Sequence, residues 1–304
     1  MNTRFSFRSL YLVLIMVLLF SLPLMGQIKH ENHSFIVGDL KVRMLQDAQI
    51  YLPLSSVVGI EHDDAMKLVG GIDSVWTPVN AFLIQTPNHI ILVDAGIGKY
   101  PGEDSGHLLE HLKDAGIDPA KVDLILITHF HFDHIGGLVS PEGKPLFPNA
   151  VVRVSQTESD FWMRDSSLIP LNLRVRAANI KAKLAPYISA QLYKPFSPDE
   201  ELGDGIKAMP ANGHTIGHTV YSFSSNGNEL WCIGDLIHFG AVQFKHPSVS
   251  YAYDFNAPMA VASRIDLFQR AAMSHVILAA THLPEMVRIE KKGKAFVASS
   301  AEGN

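Results

Sequence analysis

The apolar run KVDLILI, residues 121–127, leads directly into THFHFDHIGG, residues 128–137. Three histidines and an aspartate therefore follow a segment with the composition of a short buried strand. Polar side chains held beside such a strand cost free energy unless they find partners. Alternate side chains of an extended segment share a face, so His129 and His131 can address one point. Asp133 and His134 come as the chain turns at Gly136-Gly137, and can address a second point nearby. Imidazole nitrogen and carboxylate oxygen are the ligand atoms that suit Zn²⁺ and related divalent ions. The spacers Phe130 and Phe132 are expected to point away from the histidines and pack the loop.

A metal needs more ligands than this segment offers, and the chain holds further candidates. NGHTIGHT places His214 and His218 in a loop with flanking glycines, CIGDLIHFG places Asp235 at the end of an apolar run, and LAATHLPE does the same for His282. An acid or histidine at a strand end also serves as a helix cap. Four such sites in one chain favour a shared purpose, and loops beyond strand ends are where functional side chains gather. His107 and His111 are four apart on a helical stretch with acidic neighbours and read as a solvated face. His30 and His33 fall near the start of the mature chain.

The order of elements constrains the fold. HSFIVGDLKVRMLQDAQIYLP alternates around Gly38-Asp39 as a hairpin, and NAFLIQTPNHIILVDAGIG repeats the pattern around Pro87-Asn88. SGHLLEHLKDAG has helical spacing and stops at Gly116, and AVVRVSQTESDFWMR is a strand running into a helix capped near Thr157. A helix is predicted over about 172–190. Strands follow at GIKAMPA, TVYSFSS and ELWCIGD, then an amphipathic helix at APMAVASRIDLFQRAAMS, a strand at HVILAATH and a hairpin at MVRIEKKGKAFVA. Two sheets packed face to face with helices outside fit this order.

The first 26 residues are a different material: a polar start with Arg4 and Arg8, the apolar run LYLVLIMVLLF, then SLPLMG. These features predict a secretory signal peptide over 1–26 and one mature domain over 27–304, periplasmic or secreted. The apolar run is shorter than the ~20 residues of a membrane span, so no stable membrane anchor is expected after cleavage. The formal net charge is −5, and losing Arg4 and Arg8 with no acid takes it to −5 − 2 = −7. No overall basic field is present to draw nucleic acid. The single cysteine, Cys232, cannot form an internal disulfide and reads as buried filler. No G-x-S-x-G motif supports an acyl-enzyme route.

Taken in order, H-x-H-x-D-H at 129–134, G-H-T-x-G-H at 213–218, Gly234-Asp235 and Thr281-His282 resemble the metallo-β-lactamase superfamily of hydrolases. The resemblance implies an α/β fold, the αββα sandwich of two mixed sheets with helices on the outer faces. It implies two divalent metals, Zn²⁺ first, with Mn²⁺, Co²⁺ or Fe²⁺ as alternatives. His129, His131 and His214 would hold one, Asp133, His134 and His282 the other, and Asp235 would bridge them. Asp94, in VDAGIG, would orient a metal histidine, and His218 would support the loop by hydrogen bonding. SDFWM, GDLIHFGAVQFKHPSVSY and THLP resemble, more narrowly, the methyl parathion hydrolase and acyl-homoserine-lactone lactonase group. That likeness implies a substrate pocket lined by Trp162; LNLRVRAANI supplies no aromatic wall. His238, three residues past Asp235, would stand where lactone-cleaving relatives carry a tyrosine. The activity implied is hydrolysis of a small ester or lactone, an acyl-homoserine lactone among them, by a hydroxide shared between the metals. Asp133 would pass a proton to the leaving group, and the partners expected are a small-molecule substrate and a second copy in a homodimer. Organophosphate triester hydrolysis is the alternative. A β-lactamase fits less well, because Asp235 stands where those relatives carry a cysteine, and so does a non-catalytic binding protein, because no expected ligand is missing.

Overall fold

A computed structural model describes residues 33–100, 104–198 and 200–301. The expected leader, residues 1–26, lies outside them. The described residues begin with the expected hairpin, β1 (His33–Val37) and β2 (Leu40–Pro53), turned at Gly38-Asp39. A short β3 (Val57–Val58) and α1 (His62–Leu68), neither legible in the sequence pattern, lead into β4 (Ser74–Gln85). Then come β5 (Ile90–Val93), α2 (Leu108–Asp114), β6 (Leu124–Leu126), a one-turn α3 (Phe132–Ile135) and β7 (Val151–Arg153). Helix α4 (Gln156–Met163) is capped by the Ser155 hydroxyl, which accepts from Glu158 N, rather than near Thr157. Helix α5 (Arg174–Ser189) fills the predicted 172–190 stretch.

The second half supplies β8 (Ile206–Pro210), β9 (Thr219–Ser225), β10 (Asn228–Gly234), α6 (Gly240–Gln243), β11 (Ser250–Tyr251), α7 (Ala257–Ser274), β12 (Ile277–Ala280) and the hairpin β13 (Val287–Lys292) with β14 (Ala295–Ser300). One sheet runs β1-β2-β4-β5-β6-β7 and the other β14-β13-β12-β10-β9-β8, with β3 and β11 forming a small separate pair. Both large sheets are mixed: β5, β6 and β7 are parallel in the first, β10 and β12 in the second, and the remaining pairs antiparallel.

Side-chain alternation builds the layers. Phe82, Ile84, Ile91, Val93 and Leu126 of the first sheet meet Tyr221, Phe223, Leu230 and Cys232 of the second in one core between the sheets. The intervening residues Leu83, Leu92 and Ile125 face outward into a second core with Trp162 of α4 and Ile180 and Leu184 of α5. Trp231, Ile233 and Leu278 face outward from the second sheet against Leu267 and Phe268 of α7. The result is the expected helix–sheet–sheet–helix sandwich, and Cys232 is free and buried in its middle. Hydrogen bonds also cross between the sheets: Thr219 N donates to Thr128 O at 3.0 Å, and the Tyr221 hydroxyl to Ile127 O at 2.8 Å.

Polar groups inside the sandwich fix its loops. Strand β2 bulges between Gln46 and Ala48, and the buried Asp47 accepts from Gly98 N and Leu108 N. Arg264 of α7 is fully buried, and its guanidinium donates to the carbonyls of Leu236 (2.6 Å), Pro247 (3.1 Å) and Val249 (2.6 Å). Burial lowers its pKa to about 10. This cation therefore clamps the segment that follows Asp235. Replacing it by methionine removes the donors and leaves buried carbonyls unpaired, a loss of about 3 kcal/mol. Urea unfolding of Arg264→Met should show that loss, and a change under about 0.5 kcal/mol would contradict the clamp.

Candidate metal centre

The topology brings the polar strand ends to one rim of the sandwich. Asp94 follows β5 and the 128–134 segment follows β6, at the same end of two parallel neighbours. Asp235 and His282 follow β10 and β12, parallel in the other sheet. His214 and His218 precede β9, which runs antiparallel to β10, so its start lies beside the end of β10. Two groups result, each with ligand atoms within 4.8 Å of one another: His129, His131, His214 and Asp235, and Asp133, His134, Asp235 and His282.

Asp235 belongs to both. Its Oδ2 lies 3.0 Å from His214 Nε2 and 3.6 Å from His129 Nε2. Its Oδ1 lies 3.0 Å from His134 Nε2 and 3.3 Å from His282 Nε2. Asp133 Oδ2 stands 3.5 Å from His282 Nε2 and 3.7 Å from His134 Nε2, and His131 Nδ1 stands 2.9 Å from His214 Nε2. Each carboxylate oxygen of Asp235 thus addresses a different group.

The imidazoles are aimed by hydrogen bonds on their far sides, a common arrangement behind metal ligands. Asp94 accepts from Thr128 N and Thr128 Oγ1 at 2.8 Å each, and lies 2.7 Å from His134 Nδ1. His282 Nδ1 donates to Pro78 O at 2.9 Å. His214 Nδ1 lies 2.9 Å from Asp254, whose other oxygen accepts from Tyr251 N. His218 turns away from both groups: its Nδ1 donates to Ala211 O, and its Nε2 accepts from Asp235 N at 3.0 Å. That bond pattern is the neutral tautomer, and burial pushes its pKa down to about 3.

Electrostatics divide the imidazoles, though not along the line between the two groups. Burial and neighbouring imidazoles hold His129 and His131 well below the usual histidine range. Burial also works against charge on His134 and His214. The carboxylates beside them outweigh it, carrying His134 well above the usual range and His214 to about 9. Burial opposes ionisation of Asp235, yet the surrounding imidazoles hold it well below the carboxylate range.

The donor set fits a pair of divalent ions. Nε2 of His129, Nε2 of His134 and Oδ1 of Asp235 are buried and make no hydrogen bond. Imidazole nitrogens crowded around one buried carboxylate are the donor atoms that a divalent cation takes, displacing the protons they share.

A cleft of about 270 Å³ opens onto both groups. Its walls include Tyr51, Phe132, Tyr251, Tyr253, Arg176 and His238. His238 lies beside the shared carboxylate, with Nε2 3.1 Å from Asp235 Oδ2 and its ring against Tyr251 and His282. Trp162 does not line the cleft. It is 2% exposed, packed in the core outside the first sheet, and its indole N–H donates to Glu158. The reason is position: α4 lies behind the histidine loop, so a tryptophan on its inner face fills the core. Phe130 packs inside as expected, but Phe132 is 60% exposed and stands at the cleft mouth, because α3 begins at residue 132 and ends the alternation. His111, read as solvated, is 5% exposed, since it shares the inner face of α2 with Leu108 and Leu112. Sequence reasoning missed Asp254, Glu158, Arg176 and the tyrosines; only Tyr251 carried a signal, as the last residue of the GDLIHFGAVQFKHPSVSY stretch that resembles relatives.

Asp254 provides a direct check on the far-side bonds. Asp254→Ala should weaken zinc binding about 10–100-fold, measured by chelator competition, while the protein remains folded. Unchanged zinc affinity would show that His214 needs no such partner.

Comparison with known proteins agrees with this geometry. Residues 74–270 match the model of the metallo-beta-lactamase superfamily. The crystal structure of AbOPH, a hydrolase in the beta lactamase superfamily, superposes with a TM-score of 0.84 at 28% identity over 90% of this chain and 98% of that one. AidC, a dizinc quorum-quenching lactonase solved with a homoserine product, superposes with a TM-score of 0.81 at 27% identity, covering 90% and 98%. A "probable metallo-hydrolase" of Mycobacterium tuberculosis is 25% identical over 244 residues, 70% of this chain and 76% of its own length. With the sandwich, the ordered histidine motifs and two His/Asp groups sharing one aspartate, this chain belongs to the metallo-β-lactamase superfamily of hydrolases.

Proposed function

We propose that the chain is an exported dinuclear metal hydrolase of small esters or lactones, with acyl-homoserine lactones as the favoured substrates. The observation that carries this reading is the aromatic cleft opening onto two ligand groups that share Asp235. Similarity to a dizinc lactonase over nearly the whole of that structure supports the substrate class. The basic start and apolar run of residues 1–26 support export.

In this reading His129, His131, His214 and Asp235 would hold one ion, and Asp133, His134, His282 and Asp235 the other. When bound, the ions would supply Lewis acidity and a more acidic water. The protein's own groups do the rest. Tyr51, Tyr251, Tyr253 and Phe132 exclude water around an apolar acyl group. His238 is held neutral, its pKa lowered to about 4 by burial despite Asp235. Its single N–H, on Nε2, points at Asp235 Oδ2, and would turn to the carbonyl oxygen as negative charge develops there once that carboxylate is engaged by metal. The Asp133 carboxylate would take the proton of the attacking water as its oxygen adds to the carbonyl carbon, and would return it to the alkoxide as the carbon–oxygen bond of the ester breaks. Asp254, Asp94 and His218 keep the ligands and the Asp235 backbone in place.

A second reading, organophosphate triester hydrolysis, is favoured by the aromatic walls, which suit a neutral aryl ester as well as an acyl chain. Purified protein tested on homoserine lactones, aryl esters and methyl parathion separates the two. The lactone rate should exceed the phosphotriester rate and vanish with EDTA; no chelator-sensitive turnover on any of them would sink the hydrolase reading. His238→Ala should lower kcat on the preferred substrate about 10–100-fold with little change in zinc content. Unaltered catalytic constants would remove His238 from the mechanism.

A further inference from the structure

Behind the histidine loops lies a carboxylate that the chemistry above does not use. Glu158, on the first turn of α4, is fully buried. Its Oε1 accepts from Phe130 N at 3.1 Å and from Trp162 Nε1 at 2.9 Å. Its Oε2 accepts from Thr215 Oγ1 and Gly217 N, both at 2.8 Å. Phe130 sits between His129 and His131, and Thr215 and Gly217 flank the turn just after His214. One side chain therefore ties together the two loops that carry the three imidazoles of the first group.

The neighbouring contacts serve the same joint. The Ser155 hydroxyl caps α4 at Glu158 N and donates to Gly217 O at 2.7 Å. A side chain on Gly217 would collide with the Glu158 backbone nitrogen, so only glycine lets this loop press on the helix start. On its other flank, Gly213 has φ +130° and lies against Ala260 N of α7. The second group is held differently: Asp94 addresses His134, Pro78 O addresses His282, and Ala95 N bonds His134 O.

We infer that Glu158 is a positioning residue that sets the geometry, and so the affinity, of the His129–His131–His214 metal site without itself touching metal or substrate. The inference rests on the two-metal reading above. A carboxylate is required because all four partners are donors. An amide offers one acceptor oxygen and turns an N–H toward Gly217 N, so glutamine keeps the volume and loses the joint. Burying an anion is costly unless its oxygens are fully hydrogen-bonded. The donors here meet that condition only while both loops hold their present places.

The test is zinc binding by full-length Glu158→Gln and Thr215→Val, with Glu142→Gln on the surface as control. Chelator competition measures the two zinc equivalents separately, and thermal unfolding is followed with and without zinc. Glu158→Gln should weaken one equivalent about 10–100-fold and leave the other within about twofold. Thr215→Val, which removes one donor and keeps the carboxylate, should weaken the same equivalent by less and remain folded. Retention of both equivalents at full affinity overturns the inference. So does an equal fall in both that tracks a loss of stability of the zinc-free protein, because that is scaffolding alone. If the unaltered protein binds no zinc, the two-metal reading itself fails and the inference falls with it.

Discussion

The carboxylate of Asp235 is the constraint on which the centre depends. Imidazoles approach both of its oxygens: His238 from its own segment, and the others from three separate stretches, His129 and His134, His214, and His282. An anion at the end of a buried strand is tolerable only when such partners are in place. Its backbone is fixed by His218, and the segment beyond it by Arg264. The parallel pair β10 and β12 places Asp235 beside His282, and the cross-sheet bonds at Thr219 and Tyr221 place both over the histidine segment. The sandwich is therefore the device that lets distant strand ends meet at one carboxylate.

Around that carboxylate the polar groups form layers of dependence. Side chains facing the centre bring imidazole nitrogens and carboxylate oxygens together in two groups, the donor set that divalent cations take. The far side of each aimed imidazole has its own partner: Asp94 for His134, Asp254 for His214, a main-chain carbonyl for His282. Glu158 acts one step further back, on loop backbone rather than on rings. Rigid support of this kind keeps ligand geometry from following loop motion, which a site assembled from loops otherwise would.

The sequence showed most of the strands and the whole set of converging histidines and acids, because each signal is local. Alternation predicts β1 and β2, the hairpin pattern repeats at β4 and β5, helical spacing predicts α2 and α7, and a histidine cluster after an apolar run stands out without tertiary knowledge. What it did not show depends on contacts made far along the chain. Asp254 and Glu158 look like ordinary surface acids until folding buries them against His214 and the two histidine loops. Trp162 has the composition of a pocket wall, and only the position of α4 behind the first sheet makes it core. Phe132 was expected inside because alternation was carried one residue too far; the helix starting there turns it outward. The aromatic walls come from Tyr51, at the overhanging end of β2, and from Tyr251 and Tyr253, which no periodic pattern links to the histidines.

The central claim is that one aspartate joins two metal sites. Anomalous diffraction at the zinc edge, from crystals of the zinc-loaded protein, tests it most directly. The account predicts two peaks on either side of the Asp235 carboxylate, one enclosed by His129, His131 and His214, the other by Asp133, His134 and His282. A single peak, or two that do not share Asp235, would contradict it.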